Sequence, residues 1–235
     1  MSGARVFVVD DDPMIVGVLQ RTLERSDITV VGFDSAEHFL SRAEDHRFDA
    51  CCLVVDIQMP GIGGLGLQEI LNRDRIAIPL VFLSVVTDAG VIVQAMKAGA
   101  FDFLSKELAP RDIKSRVEQA IELSTKWRAE RAIFQEYDAL LALLSPQELL
   151  TLELLVEGRS TKEIGQTLRV CLPTVTRHKN RIFQKMQVRN VIDLARKAWT
   201  HEALARTGRS HRVSTPHFLT RDVSPVLSEK PSRNL

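Results

Sequence analysis

The sequence predicts a doubly wound α/β domain on a five-stranded parallel sheet, followed by a small all-α domain with a helix-turn-helix. Three observations carry this prediction. β-rich apolar runs alternate with helix-spaced segments across residues 1–122. Charge is segregated along the chain. Residues 1–122 hold 12 Lys/Arg against 19 Asp/Glu, residues 123–144 hold three of each, and residues 145–235 hold 16 against 8. Paired capping signals then punctuate residues 145–205.

The strands are expected at residues 6–9, 29–33, 50–55, 80–83 and 101–104, with helices at 14–24, 37–43, 65–71, 91–98 and from 113 onward. Runs such as CCLVVD and LVFLS are apolar at nearly every position, as strands buried on both faces must be. Asp12-Pro13 has the form of an N-cap followed by an N1 proline. Residues 121–144 form a continuous helix in which Trp127, Phe134 and Leu141 recur every seven positions, with Tyr137 and Leu144 beside them. That pattern fits either a short coiled coil or packing on one of the two domains. Ser145-Pro146-Gln147-Glu148 and Ser160-Thr161-Lys162-Glu163 are capping boxes, each opening a helix. A turn at Arg169-Val170-Cys171 leads into a third helix, whose apolar face is Val175, Ile182 and Met186, and Asn190 opens a fourth. The expected division is therefore 1–122, a helical linker 123–144, a domain 145–205 and a disordered basic tail 206–235.

Composition narrows the function. A chain of 235 residues, 45% hydrophobic and 26% charged, is an ordinary globular sequence with room for two cores. Asp88, Asp102 and Lys106 interrupt the best candidate for a membrane span, and three acids by residue 12 do not resemble a secretory signal. Three cysteines (Cys51, Cys52 and Cys171) make no disulfide framework, so a reducing cytoplasm is expected, without a membrane partner. The basic C-terminal half points to a polyanionic partner.

In a doubly wound sheet the site lies beyond the carboxyl ends of the strands, at the switch in strand order. The residues ending these strands are Asp10, Asp11 and Asp12, then Asp56, Ser84, and Ser105 with Lys106. Converging carboxylates repel one another and raise their own pKa values unless a cation joins them. All-oxygen donors favour Mg²⁺.

The joint pattern of VVDDD, D-x-x-M-P-G (Asp56 to Gly61), Ser84 and Lys106 resembles the receiver domain of two-component response regulators over about residues 4–122. The resemblance implies that Asp56 is the phosphoacceptor, and that Asp11, Asp56 and the backbone carbonyl of Gln58 hold Mg²⁺, with Asp10 acting through water. It further implies that Lys106 and Ser84 contact the phosphoryl oxygens and that Phe103 rotates inward with Ser84, although Phe103 alone reads equally well as a core aromatic. Three positions depart from the family. Val85 stands where Gly or Ala is usual and could narrow access, Glu107 stands where proline follows the lysine, and Ser84 replaces threonine.

The string L-S-P-Q-E, G-x-S-x-K-E-I, T-V-x-x-H and K-M across about sixty residues resembles the LuxR-type DNA-binding domain. Joined to a receiver, it places the chain with the FixJ/NarL-type regulators. The implied role of residues 174–185 is to enter the major groove of double-stranded DNA. Thr174 opens that segment, Thr176, Arg177 and Asn180 then lie toward base edges, and Lys179, Arg181 and Lys185 lie toward phosphates. His178 fits either packing or a phosphate contact. Arg169 stands where glycine is usual and Cys171 where serine caps the helix, which predicts a less stable domain. The fourth helix is the family's dimer contact.

The function expected is therefore transcriptional regulation, with a histidine kinase as phosphate source and a homodimer as the phosphorylated form. A phosphate-independent regulator is the alternative within that class. An aspartyl-phosphate hydrolase would need an acid where Gln58 stands, so the chain is not expected to be an enzyme.

Overall fold

The computed structural model describes residues 4–23, 28–42, 51–85 and 88–206. Five strands alternate with helices: β1 (Ala4–Val9), α1 (Pro13–Leu23), β2 (Ile28–Phe33), α2 (Ala36–Ser41), β3 (Cys51–Val55), α3 (Gly63–Arg73), β4 (Leu80–Ser84), α4 (Ala89–Lys97) and β5 (Asp102–Ser105). The strands lie in the order β2-β1-β3-β4-β5, every neighbouring pair parallel. The chain leaves β1 toward one edge and returns to the other side at β3, so the switch in order falls between them.

Alternation within the buried strands sorts two cores. Phe7, Val9, Cys51, Leu53, Val55 and Phe82 face α2, α3 and α4 through Phe39, Leu67, Leu71 and Ala95. Val6, Val8, Cys52, Val54, Val81 and Leu83 face α1 and the next helix, α5 (Pro110–Leu141), through Leu19, Leu23, Ile113 and Val117. Burying side chains the size of Phe7 or Phe82 contributes roughly 2–3 kcal/mol each. These two layers clamp the sheet and fix where its strand ends stop.

α5 runs from Pro110 to Leu141 without a break. Proline at its start and no glycine within it explain the continuity. It begins in the sheet's second core and ends in a third one, where Tyr137, Leu140 and Leu141 meet α6 (Pro146–Val156), α7 (Thr161–Leu168), α8 (Leu172–Lys185) and α9 (Val191–Arg206). The last sheet helix and the expected linker are therefore one element. Of its heptad residues, Leu141 packs in that third core and Phe134 stacks on His201 of α9, whereas Trp127 lies beside Ala77 and Ser124. Among the described residues no helix is long and apolar enough to cross a membrane, and no peptide bond is cis. The tail beyond Arg206 lies outside the described residues.

Candidate functional site

The strand ends converge as the switch point requires. Asp10 follows β1 with its N–H on the Phe33 carbonyl (3.0 Å), and Asp56 follows β3 with its N–H on the Val9 carbonyl (2.9 Å). Both are buried, whereas Asp11 is exposed. One carboxylate oxygen from each of the three lies within 4.8 Å of the others. Lys106, just beyond β5, reaches across, with its Nζ 2.8 Å from Asp10 Oδ2 and 2.7 Å from Asp56 Oδ2. The second oxygens are held by backbone N–H groups, Asp12 to Asp10 (3.0 Å) and Gln58 to Asp56 (3.3 Å).

The electrostatics follow from burial. Desolvation pushes the Asp10 carboxyl up, although Lys106 and the Asp12 N–H pull the other way. Burial would lower the Lys106 ammonium, but its bonds to Asp10 and Asp56 outweigh it and raise it. A lone cation thus bridges two buried anions, and all remaining donors are oxygens, the set a hard divalent ion takes. The residues expected to hold Mg²⁺ fit that group on donor chemistry.

Ser84 closes β4 fully buried, and Lys106 donates its backbone N–H to the Ser84 carbonyl (3.1 Å). Phe103 on β5 is half-buried, its ring 6.1 Å from Phe82. Val85, the residue after Ser84, is 61% exposed. Two glycines permit the loop after Asp56. Gly61 sits at φ +78°, and a Cβ at Gly64 would strike the Asp56 carbonyl oxygen.

The C-terminal helices carry the second candidate surface. Both capping boxes form, Ser145 with Glu148 and Ser160 with Glu163. Arg169 adopts a left-handed conformation at φ 55° and ψ 43°, and Cys171 caps α8 without a side-chain bond to the helix backbone. Val175, Ile182 and Met186 are buried, leaving Thr176, Arg177, Asn180 and Arg181 exposed, with Thr174 and Lys179 partly so. His178 is half-buried with Nδ1 3.4 Å from the Thr151 hydroxyl, which favours packing.

Lys185 departs from the sequence expectation. Its Nζ sits 2.7 Å from Glu148 Oε2, a carboxylate buried at the start of α6. The ammonium neutralises a buried charge and is spoken for before any phosphate arrives.

Comparison with known proteins follows the same division. Residues 6–118 match the response regulator receiver domain family, and residues 142–198 match the bacterial regulatory proteins of the luxR family. The transcriptional regulatory protein TdiR of Thauera aromatica is 35% identical over 193 residues, spanning 82% of this chain and 84% of that protein. The chain belongs to the response regulators with a LuxR-type DNA-binding domain. FixJ of Bradyrhizobium diazoefficiens, also a transcriptional regulatory protein, is 30% identical across 82% of this response regulator and 93% of its own length. The solved response regulator StyR matches with a TM-score of 0.75 at 34% identity, covering 84% of this chain and 98% of that one. Full-length FixJ matches with a TM-score of 0.53 at 28% identity, over 86% and 99%. This is a two-component response regulator acting in transcription.

Sequence reasoning missed one joint in the response regulator. His201 of α9 is 3% exposed, stacks on Phe134 (4.1 Å between centroids) and lies 2.8 Å from Asp138. Phe134 and Asp138 are one helical turn apart on α5, so both grip the same imidazole. The only signal was this four-residue spacing, which did not name its partner.

Proposed function

We propose that Asp56 accepts a phosphoryl group from a histidine kinase and that its occupancy controls dimerisation and sequence-specific DNA binding. The observation that carries this is the ammonium of Lys106 set between the buried carboxylates of Asp10 and Asp56 at 2.8 and 2.7 Å. Asp11, Asp56 and the Gln58 carbonyl would hold Mg²⁺, with Asp10 acting through a water. When bound, the ion neutralises the incoming phosphoryl oxygens.

An Asp56 carboxylate oxygen attacks phosphorus as the bond to the kinase histidine breaks, and the imidazole leaves. Phosphoryl transfer is mostly positioning plus charge stabilisation, so fixed groups suffice. Lys106 moves its hydrogen bonding from carboxylate to phosphoryl oxygen. Ser84 donates its hydroxyl to another oxygen, and Phe103 follows inward on the adjacent strand. The local charge change thereby reaches the β4–β5 surface.

α8 then docks in the major groove. From its start at Thr174, Thr176, Arg177 and Asn180 meet base edges while Lys179 and Arg181 meet phosphates. Dimerisation through α9 pairs two half-sites, and the protein works in the cytoplasm as a regulator, not an enzyme. The exposed stripe of Ile192 and Trp199 on α9 supports this contact.

Intact-mass measurement with a small phosphodonor and Mg²⁺ tests the reading. Wild type gains one phosphoryl group and Asp56→Asn gains none. Sedimentation and promoter binding of the same samples should shift together, with affinity falling steeply as salt rises. Wild type that never gains mass overturns the proposal.

A further inference from the structure

We propose that Glu37 is a positioning residue for phosphoryl transfer, because its carboxylate fastens the loop that carries Asp56 and Gln58 to helix α2. This rests on Asp56 being the phosphoacceptor. Glu37 lies nineteen residues before Asp56 in the chain, on helix α2, yet its Oε1 accepts the Ile62 N–H at 2.9 Å. Gly61 turns at φ +78°, and any Cβ there would fall on the same Glu37 oxygen, so the glycine admits the carboxylate as well as the turn.

The anchor is firm and the loop is short. α2 is fixed by Phe39 and Ala36, both fully buried, and by Ser35, whose hydroxyl accepts the His38 N–H. Within the loop, Met59 is buried in the core and Gln58 donates its N–H to Asp56. Gly64 then closes back with its N–H on the Ile57 carbonyl (3.1 Å). Glu37 supplies the tie at the outer end, between Met59 and α3. A hydrogen bond to a charged acceptor is stronger than a neutral one, and partners one step removed from a metal's ligands tune its affinity. With the tie released, the Gln58 carbonyl samples more orientations, so the metal and the phosphodonor meet a less organised site.

Three measurements on the full-length protein test this. Amide exchange by NMR reads the tie itself, Mg²⁺ calorimetry reads the metal site, and phosphodonor kinetics reads the transfer. Glu37→Ala should speed exchange at Ile62 roughly threefold to tenfold while leaving Val54 and Leu83 unchanged. It should also weaken Mg²⁺ binding about tenfold. Glu37→Gln keeps an acceptor and should restore most of both. Unchanged Ile62 exchange in Glu37→Ala overturns the proposal, as does faster exchange throughout the sheet or failure of Glu37→Gln to restore binding. If wild type fails to accept phosphate, the Asp56 reading falls, while exchange and calorimetry still judge the tie.

Discussion

Lys106 does the work of a counterion at a place where two acids share a buried edge. Replacing it with methionine leaves Asp10 and Asp56 facing each other without compensation. Lys106→Met should therefore bind Mg²⁺ more tightly, since no ammonium competes, yet accept phosphate about a hundredfold more slowly for want of a fixed charge on the transferred group. Calorimetry and phosphodonor kinetics on one preparation would separate the two, and parallel losses would contradict the account. Arg169 and Cys171 offer the opposite experiment. A left-handed arginine and a helix start without a side-chain cap both cost stability, so Arg169→Gly and Cys171→Ser should each raise the free energy of unfolding by about 1 kcal/mol, read as a higher urea midpoint. These sites were legible in the sequence because strand-end acids and capping strings are local signals. The parts played by Glu37 and Lys185 were not. Each answers a partner far along the chain.

At the scale of elements, α6 sets the pose of α8. Thr151 meets His178 near the middle of α8, and Glu148 meets Lys185 at its end. Burial would push the Glu148 carboxyl up, but Lys185 and the Ser145 N–H bring it from the ordinary 4.5 down to about 2. The sign is that of a depressed acid. As pH falls below 4.5 the unfolded chain takes up a proton before the folded one, so the stabilisation is full above pH 4.5 and vanishes near pH 2. The loss is on the order of 2 kcal/mol. Glu148→Gln should be less stable at neutral pH and should show a flatter acid response, read as unfolding midpoint against pH. An unaltered acid response would place the protection elsewhere. Capping boxes marked where α6 and α7 begin to within a residue, since Ser, Pro and Glu at fixed offsets act within one turn. The helix spanning 110–141 was seen only as two pieces, because its buried residues serve two separate cores with a gap between Ser124 and Phe134.

For the whole molecule, acidic and basic halves of the sequence foretold two modules, and the strand order β2-β1-β3-β4-β5 agrees with the expected doubly wound sheet. How the modules join was not foretold, since the His201–Asp138 contact binds positions 63 residues apart. His201→Ala removes the aromatic stack and the partner of Asp138 together. It should destabilise the C-terminal helices by about 2 kcal/mol while leaving receiver phosphorylation intact, and a matching loss in phosphorylation would mean the two cores unfold as one.

α5 also works as a graduated shaft. Each residue added between its two embedded ends turns the far module by about 100° and advances it by about 1.5 Å, whereas seven residues return it to within about 20° of its starting bearing. A ladder of insertions after Lys126 should therefore make signal-dependent promoter activity rise and fall with helical phase instead of decaying with length.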